Sequence, residues 1–313
     1  MAPVPRISIG LTNYSADDPG GWQPLVDRAC AADVAGVDQV VVPDHVVFGE
    51  NLEAYSRPEL GGSEGGKQPT GPDGHWLEPL TALTYVAALT TQVRLGTGIL
   101  LAALRRPVVL AKTAATLDVL SGGRLDLGVG VGWQREEYEA AGLDFAARGR
   151  ALDRSLAVCQ TLWRETRASF DDGTLAFAGI HQMPKPVQPG GVPIWVSGTV
   201  NALVARRLAR FGSGWIPWGS SAGDLAAAIP EIRAGVVENG RDPYDLRIVG
   251  TLPVVRDGDG RPDLARSMDG VPALVDIGVT DFRANLPIPR ARDAAAEYLA
   301  DVVGRFRRAV GRD

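Results

Sequence analysis

The amino-acid sequence predicts an α/β fold, a single-domain (β/α)8 TIM barrel over residues 1–313 with insertions after strands 2 and 4. Short β-branched, apolar segments alternate with amphipathic helical segments, and eight of the strand-like segments can be counted. No run of consecutive hairpins interrupts this order, which favours parallel strands joined by helices. A length of 313 residues suits one such barrel. The same periodicity also fits an open doubly wound sheet.

The predicted strands are short and mostly apolar, as is typical of parallel strands covered by helices. They lie at residues 6–12, 37–43, 93–100, 124–129, 193–197, 214–218, 246–253 and 279–286. Between them, apolar side chains recur at the spacing of one helical face, for example Leu152, Leu156, Cys159 and Trp163. Cys30 and Cys159 both fall on such faces, so we expect two buried thiols that serve packing.

Two connections are longer than a barrel repeat requires. Residues 48–76 follow the second strand and are rich in glycine and proline turns. A long loop at this end of a barrel strand is typical of an active-site lid or of a disordered segment. Residues 132–192 follow the fourth strand and contain a predicted helix at about 150–164. They also contain a predicted hairpin at 168–178, which turns at Asp172-Gly173.

Composition argues against two classes of partner. The net charge is −5 and no basic stretch is present, so we do not expect nucleic-acid binding. No apolar segment approaches the ~20 residues that a membrane-spanning helix needs. Residues 1–6 lead straight into a strand-like segment without a basic region or a small-residue cleavage site. These features predict a cytoplasmic protein that acts on a small molecule.

The candidate catalytic residue is His45, one of three histidines. It directly follows the second strand, and the carboxyl ends of barrel strands face the bound ligand. An imidazole at this position is suited to act as a general acid or base near neutral pH. It can equally cap the strand or hydrogen-bond to Asp44. His75 and His181 lie in loops, and we expect both at the surface.

The sequence contains no metal-binding or phosphate-loop motif. It has no HExxH, no CxxC and no GxxxxGK[ST], so no metal site is predicted. The segment Gly128-Val129-Gly130-Val131-Gly132 lacks the last glycine of a dinucleotide-binding fingerprint. Its glycines carry no Cβ, so either they let a planar ligand approach the backbone or they only allow a tight turn.

Two further groups are candidates for ligand contacts. Ser197-Gly198-Thr199 follows the fifth strand and precedes a helical segment at 201–211, where free amides and a hydroxyl can bind an anion. Thr199 or Asn201 can equally be the helix N-cap. Three tryptophans at predicted strand ends or in their loops can wall an aromatic cofactor, although each alone is more often a packing residue; they are Trp76, Trp133 and Trp218.

Together these segments resemble the bacterial luciferase-like monooxygenase superfamily. More narrowly, they resemble its actinobacterial branch of oxidoreductases that use coenzyme F420, an 8-hydroxy-5-deazaflavin. The resemblance covers most of residues 6–218, and residues 112–133 are its most specific part. The matching segments are Val42-Pro43-Asp44-His45, residues 95–100, 110–124 and 127–133, Glu136-Glu137-Tyr138 and residues 193–198.

The resemblance implies a barrel that holds its cofactor at the carboxyl ends of the strands. It gives His45 a role in proton transfer, and it implies a non-prolyl cis peptide at Gly98–Ile99 and a homodimer. With the glycine and tryptophan positions above, the expected cofactor-binding residues are Asp44, Gly98, Ile99, Gly130, Trp133, Ser197, Gly198 and Thr199. The last three of these would contact phosphate.

One difference from related enzymes narrows the set of reactions that this protein is expected to catalyse. In the sugar-phosphate dehydrogenases that the superfamily resembles, a catalytic glutamate follows the glycine strand, where this chain has Trp133. Glu136 lies three residues further on, and we do not assign it that role. The leading hypothesis is hydride transfer between F420 and an unidentified small organic substrate. The alternatives are an FMN-dependent luciferase-like monooxygenase, which uses reduced flavin and O₂, and a catalytically silent cofactor-binding barrel.

Overall fold

The structure, a computed structural model, describes residues 3–312. Its centre is a closed barrel of eight parallel strands that follow one another around the ring in chain order. The strands are β1 (Arg6–Gly10), β2 (Gln39–Val42), β3 (Arg94–Thr97), β4 (Leu125–Val129), β5 (Ile194–Gly198), β6 (Gly214–Pro217), β7 (Arg247–Thr251) and β8 (Asp281–Ala284).

The ring closes where β1 pairs with β8, in a register that sets Arg6 opposite Asp281 and Ile9 opposite Ala284. The predicted barrel is therefore confirmed, and the open doubly wound sheet is wrong. All eight predicted strands are present, with ends that differ by a few residues. Such differences arise because residues next to a loop leave the ladder of hydrogen bonds as the chain turns away.

Helices surround the barrel and fill the connections. They are α1 (Gln23–Ala35), α2 (Pro79–Leu89), α3 (Pro107–Leu120), α4 (Arg135–Ala140), α5 (Arg148–Arg164), α6 (Ala202–Phe211), α7 (Ser220–Gly223), α8 (Leu225–Glu238), α9 (Leu264–Asp269), α10 (Val271–Asp276) and α11 (Arg292–Ala309). The predicted helix at 150–164 is confirmed as most of α5. Short 3-10 helices lie at Ala102–Leu104, Phe145–Ala147 and Pro243–Asp245.

The first insertion, residues 48–76, forms a roof over one end of the barrel. It contains two 3-10 helices, Leu52–Ser56 and Pro58–Leu60, and ends in a strand, His75–Trp76, which pairs with Tyr14–Ser15. Trp218, after β6, donates its Nε1 hydrogen to the backbone oxygens of Gly61 and Gly62, at 3.1 and 2.9 Å. The insertion therefore crosses the barrel end from β2 to β6.

The second insertion contains α4, α5 and the predicted hairpin. The hairpin is confirmed, with strands Ala168–Asp171 and Ala176–Ile180 paired antiparallel. His181, which follows it, is exposed, as is His75 in the first insertion.

Cys159 of α5 and Cys30 of α1 are free and buried, as predicted. Within residues 3–312, no helix is both long enough and apolar enough to cross a membrane.

Side chains along each strand point alternately into the barrel and towards the helices. The inward-facing side chains differ between the two ends of the barrel. At the amino-terminal ends, inward-facing charges form ion pairs: Arg94 Nε lies 2.7 Å from Asp126 Oδ2, and Arg247 Nε lies 2.7 Å from Asp281 Oδ2. Pairing is what makes buried charges tolerable. Towards the carboxyl ends of β1, β3 and β4, the inward positions are glycine. The two ends of the interior therefore differ, with ion pairs at one end and glycines at the end that faces the roof.

Candidate active site

Inward-facing glycines line the carboxyl end of the barrel; they are Gly10, Gly96, Gly98, Gly128 and Gly130. A Cβ on Gly128 would lie 2.0 Å from the Thr97 backbone oxygen, and one on Gly98 would lie 2.5 Å from Val41 Cγ1. Only glycine fits these two positions. A Cβ on Gly10, by contrast, would meet no atom within 4 Å. The region between these glycines and residues 48–76 is called the mouth below.

One wall of the mouth is formed by the segment after β3. The Gly98–Ile99 peptide bond is cis, which confirms the expectation drawn from the resemblance. The Ile99 side chain lies against β4's end, since a Cβ on Gly130 would lie 2.8 Å from Ile99 Cδ1. Gly98, Ile99 and Gly130 are therefore brought together, as a ligand that contacts all three requires.

His45 lies at the end of β2 in an aromatic setting. Its ring centroid is 4.3 Å from that of Phe48, 4.9 Å from that of Trp76 and 5.8 Å from that of Trp133. The His45 side chain is only 9% exposed. Three aromatic rings from three different segments thus limit the rotation of the imidazole and limit the access of water to it.

A buried carboxylate lies next to Nδ1 of the His45 ring. Glu137 of α4 has a side chain that is 1% exposed, and its Oε2 lies 3.2 Å from His45 Nδ1, within ion-pair distance but without a hydrogen bond between the two atoms. Its Oε1 accepts a hydrogen bond from the Val46 amide at 2.9 Å. Because Nδ1 faces Glu137, the other ring nitrogen, Nε2, is the one left for a ligand.

Asp44 does not hydrogen-bond to His45, as one reading of the sequence allowed. Its carboxylate accepts hydrogen bonds from the Leu101 amide at 2.8 Å and from the Arg105 guanidinium at 2.5 and 3.1 Å. Burial alone would lower the pKa of Arg105, but the carboxylates of Asp44 and Glu78 outweigh that effect and raise the pKa. In this structure Asp44 therefore ties the end of β2 to the segment after β3.

The three tryptophans named from the sequence all lie around the mouth. Trp133 is buried, and its ring centroid is 5.3 Å from that of Tyr55 in the roof. Tyr55 also lies 6.2 Å from Trp218, whose Nε1 binds the roof backbone. Trp76 packs against His45 and stacks on Tyr14 at 4.4 Å. The walls of the mouth are therefore aromatic and mostly apolar.

The predicted phosphate contacts lie at the end of β5. They offer fewer free hydrogen-bond donors than the sequence predicted. Asn201 is the N-cap of α6, and its Oδ1 accepts hydrogen bonds from the Leu203 and Val204 amides, both at 3.0 Å. The amides of Leu203 and Val204 in the first helical turn are therefore already occupied. The half-buried Ser197, Gly198 and Thr199 remain, with two hydroxyl groups, as the candidate phosphate-binding segment.

Comparison with known families agrees with this fold and site. Residues 7–261 match the family described as luciferase-like monooxygenase. The chain belongs to this family. The match spans β1 to β7 and includes His45, Glu137 and the Gly98–Ile99 segment, so the whole candidate site except β8 lies within it.

Relatives of this luciferase-like protein include enzymes of known cofactor. An F420-dependent glucose-6-phosphate dehydrogenase of Mycobacterium avium is 31% identical over 77% of this chain and 66% of its own. Among solved structures, an F420-dependent secondary alcohol dehydrogenase has a TM-score of 0.74 at 17% identity, over 97% of this chain and 99% of its own. The monooxygenase RslO1 of Streptomyces bottropensis has a TM-score of 0.72 at 19% identity, covering 95% and 98%. The protein is an oxidoreductase of the luciferase-like family.

Two residues of this luciferase-like site were not assigned a role from the sequence. Glu137 was part of the resemblance, but helical periodicity could have singled it out as the buried member of the pair Glu136-Glu137. Arg283 of β8 faces the barrel interior, and the signal for it was the strand alternation that places the apolar Phe282 and Ala284 on the outside.

Proposed function

We propose that this chain is an F420-dependent oxidoreductase that transfers a hydride between the deazaflavin and a small organic substrate. The observation that carries the proposal is the glycine-lined mouth, where the Gly98–Ile99 segment and His45, with Glu137 beside it, lie at the same end of the barrel. The mouth fits a planar ring because its glycines remove side chains along one wall and aromatic rings form the others. The F420-dependent relative of Mycobacterium avium supports the choice of cofactor.

Different residues would hold the ring of the cofactor and its phosphate. Gly98, Ile99 and Gly130 would lie against the ring, with Trp133 beside it. Ser197, Gly198 and Thr199 would bind the phosphate through hydroxyl and backbone groups. Asp44 is included as a residue that fixes the position of the Gly98–Ile99 segment through Leu101, rather than as one that touches the ring.

When bound, the deazaflavin accepts or donates the hydride, and the protein supplies orientation and the matching proton transfer. His45 is the proposed catalytic residue. Its Nε2 would take the proton of a substrate hydroxyl as the hydride leaves the adjacent carbon, or return that proton in the reverse direction. Glu137 holds the ring in place, and the aromatic rings of the mouth exclude water. These walls favour an apolar or amphipathic substrate.

The test is a titration of the purified protein with F420, followed by quenching of tryptophan fluorescence. Trp133, Trp76 and Trp218 surround the mouth, so a bound deazaflavin should quench their emission with a micromolar dissociation constant. A parallel titration with FMN serves as the comparison. No binding of F420 at several hundred micromolar would rule the proposal out.

The second candidate is an FMN-dependent monooxygenase, which the structural similarity to RslO1 keeps open. It requires FMN to bind more tightly than F420, so the same pair of titrations separates the two. The third candidate is a silent cofactor-binding barrel. This candidate would be supported if the protein loaded with reduced cofactor turned over none of a panel of alcohols, ketones and enones. It would also require that His45→Ala leave turnover unchanged.

We further propose a cytoplasmic homodimer without nucleic-acid or membrane partners. The support is the resemblance, the net charge of −5 and a set of exposed apolar side chains on α2 and α3.

A further inference from the structure

Arg283 lies inside the barrel, at the inner end of the mouth. Its neighbour Phe282 faces outward, with a ring centroid 5.3 Å from that of Phe306 in α11, so Arg283 faces inward. A Cβ on Gly98 would lie 3.0 Å from Arg283 Nη2. Two strands, β1 and β2, separate β8 from β3 around the ring. The side chain therefore crosses the interior, and its guanidinium ends beside the Gly98–Ile99 segment.

This guanidinium is unpaired. Within residues 3–312 its Nε is buried without a hydrogen-bond partner, and no carboxylate lies within ion-pair distance of the side chain. Burial lowers the pKa of Arg283, and no neighbouring acid opposes that effect. The side chain is surrounded by protein, yet part of its surface still borders space that solvent can enter.

Two other inward-facing arginines have carboxylate partners, and a third, Arg6, lies near Asp281 and Asp126, whose charges oppose the lowering of its pKa by burial. Arg94 pairs with Asp126 and Arg247 pairs with Asp281, each at 2.7 Å. A buried charge without a partner is expensive in free energy, and folds rarely keep one without a use for it. The missing counter-ion of Arg283 is therefore expected to come from a ligand.

We propose that Arg283 binds the anionic, planar acceptor group of a small molecule in the mouth. The guanidinium offers two parallel donors in a rigid fork, which matches a pair of acceptor atoms in one plane. Such a group has two sources: a carboxylate of the organic substrate, or the pyrimidinedione edge of the cofactor, which is negatively charged in the reduced state. Only the second source rests on the proposed function.

The first test uses two probes of the same shape and different charge, benzoate and benzamide. Each is titrated into the protein while tryptophan fluorescence is followed. We expect the wild type to prefer benzoate at least tenfold, Arg283→Met to lose the preference, and Arg283→Lys to keep a part of it. Arg290→Met, which removes an exposed arginine seven residues further on, is the control and should keep the whole preference.

The second test repeats the comparison of wild type and Arg283→Met with reduced F420. A tenfold or greater loss of F420 affinity assigns the anion to the cofactor, whereas unchanged F420 affinity with a lost benzoate preference assigns it to the substrate. If both affinities are the same in the two proteins, Arg283 binds no anion and the inference is overturned. If the wild type binds no F420, the proposed function fails, and the benzoate comparison still tests Arg283.

Thermal unfolding of the free protein provides a readout that is independent of any ligand. Removing an unpaired buried charge should leave the Tm of Arg283→Met unchanged or raise it by a few degrees. A Tm that falls by several degrees would instead mean that Arg283 has a structural partner, and it would contradict the proposal.

Discussion

At the scale of single residues, the site depends on a histidine and a carboxylate that come from different elements. His45 follows β2, and Glu137 lies on α4 in the second insertion. Glu137 contacts both the Val46 amide and His45 Nδ1, so one carboxylate fixes the backbone and faces the ring. This arrangement leaves Nε2 for the proton transfer that we propose, and a carboxylate likewise lies at Nδ1 of the histidine in a catalytic triad.

Glu137→Gln should therefore disturb the tautomer of His45. In the wild type, neutral His45 should carry its proton on Nδ1, facing Glu137. In the variant, a neutral amide replaces the carboxylate, and the Nε2-protonated tautomer should gain population. The measurement is the nitrogen NMR spectrum of protein labelled at histidine. The chain has three histidines, and the exposed His75 and His181 serve as internal references.

The activity of the same variants gives a second comparison. His45→Ala should lose about 10²–10⁴-fold in kcat, the usual contribution of a general acid or base. Glu137→Gln should lose less, because it acts on the position of His45 and not on the transferred proton. Identical nitrogen shifts in Glu137→Gln and wild type, or a larger loss of kcat in Glu137→Gln than in His45→Ala, would contradict this order of roles.

At the scale of elements, the Asp44–Arg105 pair joins the ends of β2 and β3. The Asp44 side chain is fully buried and that of Arg105 is 17% exposed. Asp44→Asn should lower the free energy of unfolding by roughly 3 kcal/mol, the lower end for one lost partner of a buried pair, because Glu78 still binds Arg105. The control is Asp301→Asn, which breaks an exposed pair with Arg305 and should change stability by about 0.5 kcal/mol or less.

Urea unfolding of these two variants measures the difference directly. If Asp44→Asn were as stable as Asp301→Asn, the pair would not hold the two strand ends together. Asp44 would then be free to serve the ligand, as the sequence alone suggested.

The glycines of the mouth should separate into two functional kinds. Gly10→Ala adds a methyl group where no atom lies within 4 Å, so unfolding free energy should change by about 0.5 kcal/mol or less while cofactor affinity falls. Gly128→Ala brings a Cβ within 2.0 Å of the Thr97 backbone oxygen and should destabilise the barrel by about 1–3 kcal/mol or more. Denaturant unfolding and the F420 titration together test the pair. A stable Gly128→Ala with normal binding would be the opposite of this expectation.

The elements themselves were largely predictable, for a physical reason. The strands are short, mostly apolar segments between amphipathic helices, and their order predicted the barrel. Closure of the sheet could not be predicted from periodicity, because an open doubly wound sheet has the same pattern. The roof at 48–76 was not predictable, because its 3-10 helices and its short pairing with Tyr14–Ser15 depend on tertiary contacts such as Trp218 to Gly61 and Gly62. Local sequence carries no signal for such contacts.

At the scale of the whole molecule, the site could likewise be predicted only in part from the sequence. His45 and the residues after β3, β4 and β5 could be placed at one barrel end, because the carboxyl ends of parallel strands meet there. The partners of Asp44 and His45 could not be predicted, since each is set by side-chain packing between segments distant in sequence. The N-cap role of Asn201 was one of the predicted alternatives, because its partners lie only two and three residues further on. The unpaired state of Arg283 is likewise visible only when its surroundings in three dimensions are known.

The outer surface carries a feature that bears on assembly. Apolar side chains are exposed on the neighbouring helices α2 and α3; they are Tyr85, Leu89, Val108, Val109 and Leu120. Clusters of exposed apolar side chains on a protein surface commonly mark a contact with another protein. The homodimer implied by the resemblance would cover them, and a two-fold contact would bring the same patch from both copies together.

Sedimentation equilibrium should therefore give about twice the 33.1 kDa mass of the chain. Charges at the centre of a buried apolar contact are costly, so Tyr85→Asp combined with Val109→Asp should reduce the mass to that of one chain. The control is Val237→Asp on α8, which is equally exposed and lies outside the patch. If the wild type sediments as a monomer at tens of micromolar, or if Val237→Asp dissociates it as readily as the double variant does, the α2–α3 patch is not the interface.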